Sequence, residues 1–209
     1  MKKHNLIAVA TAAVLVGACI PSVNPFYTDK DIVFDTRLVG EWQEKGKADG
    51  PDAWKFEKSG DNGYKLTVTE KEGKEGKFDA RLFKLKEECF LDLIPTGCNY
   101  ATNQADLVAF SMFPGHLLVR VTQFEPVLKL SFFNFDWLQK FLDKNPKALA
   151  HHVEGKTENE DGHIILTAET RDLQKFVLKH LGKGELFDTD KPGEMIRKNA
   201  ADSAGPSPK

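Results

Sequence analysis

Trp54-Lys55-Phe56-Glu57-Lys58-Ser59-Gly60-Asp61-Asn62-Gly63-Tyr64-Lys65-Leu66-Thr67-Val68-Thr69 is the stretch whose reading decides the fold. Trp54 and Phe56 alternate with Lys55 and Glu57, and Tyr64, Leu66 and Val68 alternate with Lys65, Thr67 and Thr69. A period of two puts the apolar members of each run on one face, the pattern of a half-buried strand. Between the runs stands a string of turn-forming residues, from Ser59 to Gly63, so the two strands form a hairpin.

The same alternation recurs along the chain. Phe78, Ala80 and Leu82 share one face, as do Leu117, Val119 and Val121, and Leu128, Leu130 and Phe132. Residues 38–44, 89–94 and 164–168 bring the count to about eight. Hairpin-like spacing argues for an antiparallel meander rather than βαβ units. Two segments switch to a helical period. Trp137, Leu138, Phe141 and Leu142 share a face over 136–143, with Asn134 or Asp136 as the cap. Leu173, Phe176, Val177, His180 and Leu181 make a second apolar stripe, with Thr170 placed to cap it and Gly182 to end it. The expected fold class is mainly β with two helices.

The ends read differently. Lys2 and Lys3, the apolar run 6–16 and the small pair Gly17-Ala18 make a signal peptide over residues 1–18. The run is too short to span a hydrocarbon core of about 30 Å. Residues 19–37 read as an N-terminus and tether containing Pro21 and Pro25, partly ordered through Phe26, Tyr27 and Ile32 to Phe34. Residues 38–182 hold the barrel-like domain. Residues 183–209, rich in Gly, Pro, Asp, Lys and Ser, read as a mostly disordered tail, with Leu186 and Phe187 pinned to the domain. Loss of Lys2 and Lys3 leaves 27 basic against 31 acidic residues, a formal charge of −4. No basic run is long enough to neutralise a phosphate backbone, so nucleic acid is not an expected partner.

Leu15-Val16-Gly17-Ala18-Cys19 resembles the lipobox of bacterial lipoproteins. That resemblance implies cleavage before Cys19, diacylglycerol on its sulfur and usually acylation of the new amino terminus. Two or three acyl chains make a durable anchor where one would not. Ile20, rather than Asp, after the cysteine implies a cell-envelope location on the periplasmic face of an outer membrane.

Gly40-Glu41-Trp42, preceded by Leu38-Val39, is similar to the Gly-x-Trp signature that opens the first strand of lipocalins and related calycins. The resemblance implies an eight-stranded up-and-down barrel with an external helix and an Arg packed over the tryptophan. Arg171, just after 164–168, stands in the place implied for that Arg. A helix between the seventh and eighth strands either caps the mouth or marks the sheet as a β-sandwich. Eight strands leave an interior that side chains fill or that holds one small ligand. Both outcomes stay open here.

Chemistry is sparse. His151-His152-x-Glu154 is the one close grouping of metal-ligand types, but successive residues of an extended segment point to opposite sides, so a solvated loop is expected instead of a metal site. His180 lies on an apolar helix face and is expected to be packed. There is no Gly-x-Ser-x-Gly elbow, and Gly73-Lys74-Glu75-Gly76-Lys77 lacks the Ser/Thr of a phosphate loop. No catalytic residue, metal or cofactor is expected. Asp92, on an apolar strand, needs a partner if it faces inward, which Arg81 or Arg120 could supply. Cys89 and Cys98 either pair as a disulfide, which requires the strand to end near Leu93, or stay as thiols. The expected function is non-enzymatic: binding of an apolar small molecule, or docking on an envelope protein, from a membrane anchor at Cys19.

Overall fold

A computed structural model describes residues 20–46, 52–70, 73–96, 114–155, 162–182, 185–188 and 192–198. Within them the chain runs β1 (Pro21–Ser22), β2 (Gly40–Glu44), β3 (Ala53–Ser59), β4 (Gly63–Thr69), β5 (Glu75–Leu85), β6 (Glu88–Pro95), β7 (His116–Gln123) and β8 (Leu128–Phe132). Helix α1 (Phe135–Lys144), β9 (His151–Glu154), β10 (His163–Leu166), α2 (Thr170–Leu181) and β11 (Gly193–Arg197) follow.

Strands β2 to β8 pair antiparallel in chain order, each with the next. Strand β11 then joins the two ends. Met195 lies opposite both Leu128 of β8 and Glu44 of β2, and Arg197 lies opposite Trp42. Every strand of this ring has two hydrogen-bonded neighbours, so the fold is a closed eight-stranded antiparallel barrel rather than a sandwich. The barrel is compatible with a lipocalin-like domain. Closure removes the free edges along which a flat sheet would aggregate.

The eighth wall strand is not the expected one. Residues 164–168 were expected to complete the meander, but β10 lies outside the ring, and β11 comes from the stretch read as a disordered tail. The short β11 turns only Gly193, Met195 and Arg197 inward, so it shows a single apolar inward residue to a sequence pattern. Leu186 and Phe187 are buried as expected, with Phe187 bridged to Phe133.

Two cores lie on either side of the wall. The inward rows of β2 to β8 and β11 fill the barrel, with Trp42, Phe56, Leu66, Leu91, Val119 and Leu128 each at most 1 % exposed. A hollow large enough for water would leave such side chains accessible from inside. The middle of the barrel is therefore packed solid. Outside the wall, Phe83, Phe90 and Leu118 meet the apolar stripes of both helices, Leu142 from α1 and Leu173, Phe176 and Val177 from α2. Burial of each such side chain stabilises by about 1.5–3 kcal/mol.

The helices start as their sequences suggest, with one change. Asn134 caps α1 by accepting the N–H of Trp137 at 3.0 Å. In α2 the capping position belongs to Glu169, because the hydroxyl of Thr170 donates instead to the carbonyl of Pro25 at 2.7 Å.

The N-terminal stretch is no free tether. Strand β1 sits between β7 and β10, with Pro21 opposite Leu117 and Ser22 opposite both His116 and Leu166. Ile20 and Phe26 are buried in the outer core. Residues 20–38 therefore belong to the folded body, with Ile20, Phe26 and Leu38 buried in it and Val23 left exposed. Among the described residues no helix is long and apolar enough to cross a membrane.

A chain ending at Pro192 lacks β11 and leaves β2 and β8 as free edges. It is expected to lose the cooperative thermal transition that a chain ending at Lys198 retains, as followed by near-ultraviolet circular dichroism.

Candidate functional site

The barrel has two unlike ends. At the end where β2 begins, the Trp42 ring is buried and its Nε1 donates to the carbonyl of Leu38 at 2.9 Å. The guanidinium of Arg197 lies 4.4 Å from the centre of that ring, a cation–π contact. Its Nη1 and Nη2 donate to the carbonyls of Val39 and Arg37, each at 2.7 Å. Gly40 takes a φ of +137°, and a Cβ there would stand 2.3 Å from Arg197 Nη1. Glycine is thus required for the close approach as well as for the backbone.

The place over Trp42 expected for Arg171 is held by Arg197. Arg171 lies in the first turn of α2 with its side chain 79 % exposed, 3.5 Å from Asp172. The difference follows from the displaced eighth strand: Arg171 follows β10, which is not in the ring, whereas Arg197 lies on β11 opposite Trp42. Its sequence signal was the inward alternation of Met195 and Arg197.

A strap over residues 33–38 seals this end. The N–H of Asp35 donates to the Tyr64 hydroxyl at 2.7 Å, and that hydroxyl donates to the Asp35 carbonyl at 3.0 Å. Phe34 stacks on Tyr64 at 4.9 Å. Hydrogen bonds from Arg37 hold the Asp35 carboxyl below its ordinary pKa, while burial pushes the Tyr64 phenol up. Arg37 itself lies over the ring of Phe124 at 4.8 Å.

The opposite end carries apolar inward residues beside exposed charged ones, Glu44, Lys45, Glu70 and Glu75. Trp54, Val68, Phe78, Leu117 and Phe132 continue the inward rows but are only half-buried. Trp54 meets Phe132 edge-on at 6.4 Å and tilts against Phe56 at 6.2 Å.

Asp92 faces outward, not into the barrel, and is buried beneath the N-terminal stretch. One carboxylate oxygen accepts the N–H of Phe26 at 2.9 Å, and the other lies 2.7 Å from His116 Nδ1. Neither expected arginine is its partner. Arg120 pairs with Glu88 at 2.9 Å, and Arg81 bonds the Tyr27 hydroxyl. Ser22 lies opposite His116 in register, but it is fully buried and its Oγ accepts the N–H of Asn24 at 3.3 Å. The carboxylate thus pins the N-terminal stretch to the wall.

Cys89 faces the sealed end of the barrel as a free, half-buried thiol. Burial pushes its pKa up, toward the protonated form, which is the weak nucleophile. Cys19 and Cys98 lie outside the described residues. His151 and His152 sit on β9, a strand where a loop was expected. His151 Nδ1 donates to the Leu149 carbonyl at 2.8 Å. Among the described residues no three His, Cys, Asp or Glu side chains gather as a metal site. His180 is buried against the rings of Phe176, Phe141 and Trp137 at 4.6, 4.8 and 5.3 Å.

Two surface features accompany β9. It ends the outer sheet, pairing with β10 alone among the described strands. The Thr167 N–H donates to the Ala150 carbonyl, which fixes the alternation: His152 and Glu154 face β10, and the main-chain groups of His151 and Val153 face away. Just before β9, a cleft of about 490 Å³ opens between residues 147–150 and α2. Lys147, Lys175 and Lys179 line it together with Glu169 and Asp172.

Comparison with known proteins adds no relative: no family model, no curated protein and no solved structure matches the chain.

Trp42→Ala is expected to cost roughly 3–5 kcal/mol as a core truncation. Arg197→Ala should cost about 1–3 kcal/mol through the lost ring contact and hydrogen bonds, whereas Arg171→Ala should stay within about 0.5 kcal/mol of wild type. Urea unfolding of the three variants checks the assignment.

Proposed function

We propose that this chain is a lipid-anchored protein of the bacterial cell envelope that acts by docking on another envelope protein rather than by catalysis. The anchor is acylated Cys19, and the location is the periplasmic face of an outer membrane. Support for the anchor comes from the signal-like residues 1–18 and the lipobox-like stretch ending at Cys19. The domain fits the lipocalin-like plan, with Gly40 and Trp42 on the first strand under Arg197 from the last.

Docking is preferred to carriage of an apolar molecule because the middle of the barrel is already filled by its own side chains. A carrier of this architecture needs a vacant interior. The outward edge of β9 offers main-chain donors and acceptors to an added strand, a common way of binding an extended segment. Lysines in the adjacent cleft favour an acidic segment there. A carrier role would have to use the end of the barrel where Trp54, Phe78 and Phe132 are half-buried.

A photo-crosslinking residue at His152, exposed on β9, is expected to give one discrete adduct in host cells. The double charge reversal Lys147→Glu with Lys179→Glu should weaken that adduct at least several-fold. Native mass spectrometry of the host-purified protein should show the acylated chain alone. A stoichiometric apolar species in that spectrum, with no adduct at His152, would turn the function to carriage.

A further inference from the structure

We propose that the partner segment at β9 is an extended acidic strand, laid antiparallel along the edge. An apolar residue of that strand stands beside Val153, and carboxylates occupy its next inward positions, toward the lysine-lined cleft. The proposal rests on the reading that β9 is the docking edge and names the chemistry of what docks there.

The backbone sets the register. His151 and Val153 each turn an N–H and a C=O away from β10, whereas His152 and Glu154 use theirs within the sheet. Gly155, at φ +72°, takes the chain out of the strand. The four residues of β9 thus leave a pairable edge of only about 13 Å. Main-chain bonds over so short an edge accept any extended segment, so side chains must supply the selectivity. Antiparallel pairing is the more stable ladder per residue.

The side chains divide the edge in two. Val153 lies opposite Ile164 and packs against the outer core, which also holds Leu149, so the odd-numbered side chains face the helices. His152 and Glu154 are exposed on the other face. Val153 is only half-buried, and an apolar side chain set beside it extends the row begun by Ile164. Toward the start of β9 the inner face gives way to the cleft. Lys147, on the turn before the strand, and Lys179, in the last turn of α2, stand on its two walls, both exposed. The acidic residues of the cleft are already engaged. Asp172 lies 3.5 Å from both Arg171 and Lys175, and Glu169 sits at the N-cap of α2, where the helix end offsets its charge. An incoming carboxylate therefore meets attraction from two ammonium groups, and an incoming lysine meets repulsion.

The test uses the acylated full chain from host membranes in detergent, titrated with fluorescent peptides of defined sequence. Thr-Val-Thr-Glu-Thr-Glu-Thr should bind about fivefold more tightly than its counterpart with glutamine for glutamate, as two exposed ion pairs allow, and the difference should shrink in high salt. The double variant Lys147→Glu with Lys179→Glu should instead prefer the counterpart with lysine for glutamate, a gain that an unfolded variant cannot give. Val153→Pro removes an outward N–H without touching the ladder to β10, and it should abolish binding at an unchanged near-ultraviolet circular dichroism spectrum. Equal binding of the glutamate, glutamine and lysine peptides would overturn the acidic class, while a persisting His152 adduct in cells would leave docking at β9 in place. Binding that survives Val153→Pro would put the peptide off the edge and overturn the register. A His152 crosslink to a second copy of this chain, with no peptide bound, would assign the edge to self-pairing and overturn the proposal. Absence of both adduct and peptide binding would remove the docking reading along with it.

Discussion

Closure of the barrel by β11 is the constraint on which the other features rest. Seven strands in chain order would leave β2 and β8 with unpaired main-chain groups along their whole length. Five residues near the C-terminus satisfy both, with Met195 matched to Leu128 on one side and Glu44 on the other. The same strand delivers Arg197 to the sealed end, where its guanidinium covers Trp42 and ties Arg37 and Val39. Ring closure and end closure are therefore one event, brought about by residues more than 150 positions apart. The demand for Gly40 follows from it, since any side chain there would occupy the space of the guanidinium.

The wall is used on both sides, which accounts for the length of the domain. Strands β5 to β7 carry apolar residues on their outer face as well as the inner one, Phe83, Phe90 and Leu118 among them. Half the wall would be a sticky surface without α1, α2 and the small sheet of β1, β10 and β9. The excursion between β8 and β11 supplies that cover before the chain returns to close the ring. Its amphipathic helices cannot stand alone, and the wall's outer face cannot stand uncovered. Each stabilises the other. Asp92 is the polar pin in this layer, neutralising the otherwise unsatisfied N–H of Phe26 beneath the N-terminal stretch.

A filled interior shifts attention from the inside of the barrel to its surfaces. Among the described residues, β9 ends the outer sheet, and a lysine-lined cleft lies beside it. Burial raises the pKa of the Cys89 thiol inside the barrel.

By itself the sequence determined the local periods. Seven wall strands, both helices and the turn at residues 59–63 follow from spacing and propensity, because those signals act within a few residues of each other, while the fold chose Asn134 over Asp136 as the cap of α1. The sequence also singled out Gly40 and Trp42. Tertiary structure alone decided which segment closes the ring, and so replaced Arg171 by Arg197. The choice depends on which short strand can match two edges at once, and a five-residue segment with one inward apolar side chain carries too little period to announce it. Likewise only the fold could turn residues 20–37 from tether into body. Their scattered apolar residues have no period of their own and acquire an environment only when β7, β10 and the barrel wall are already in place.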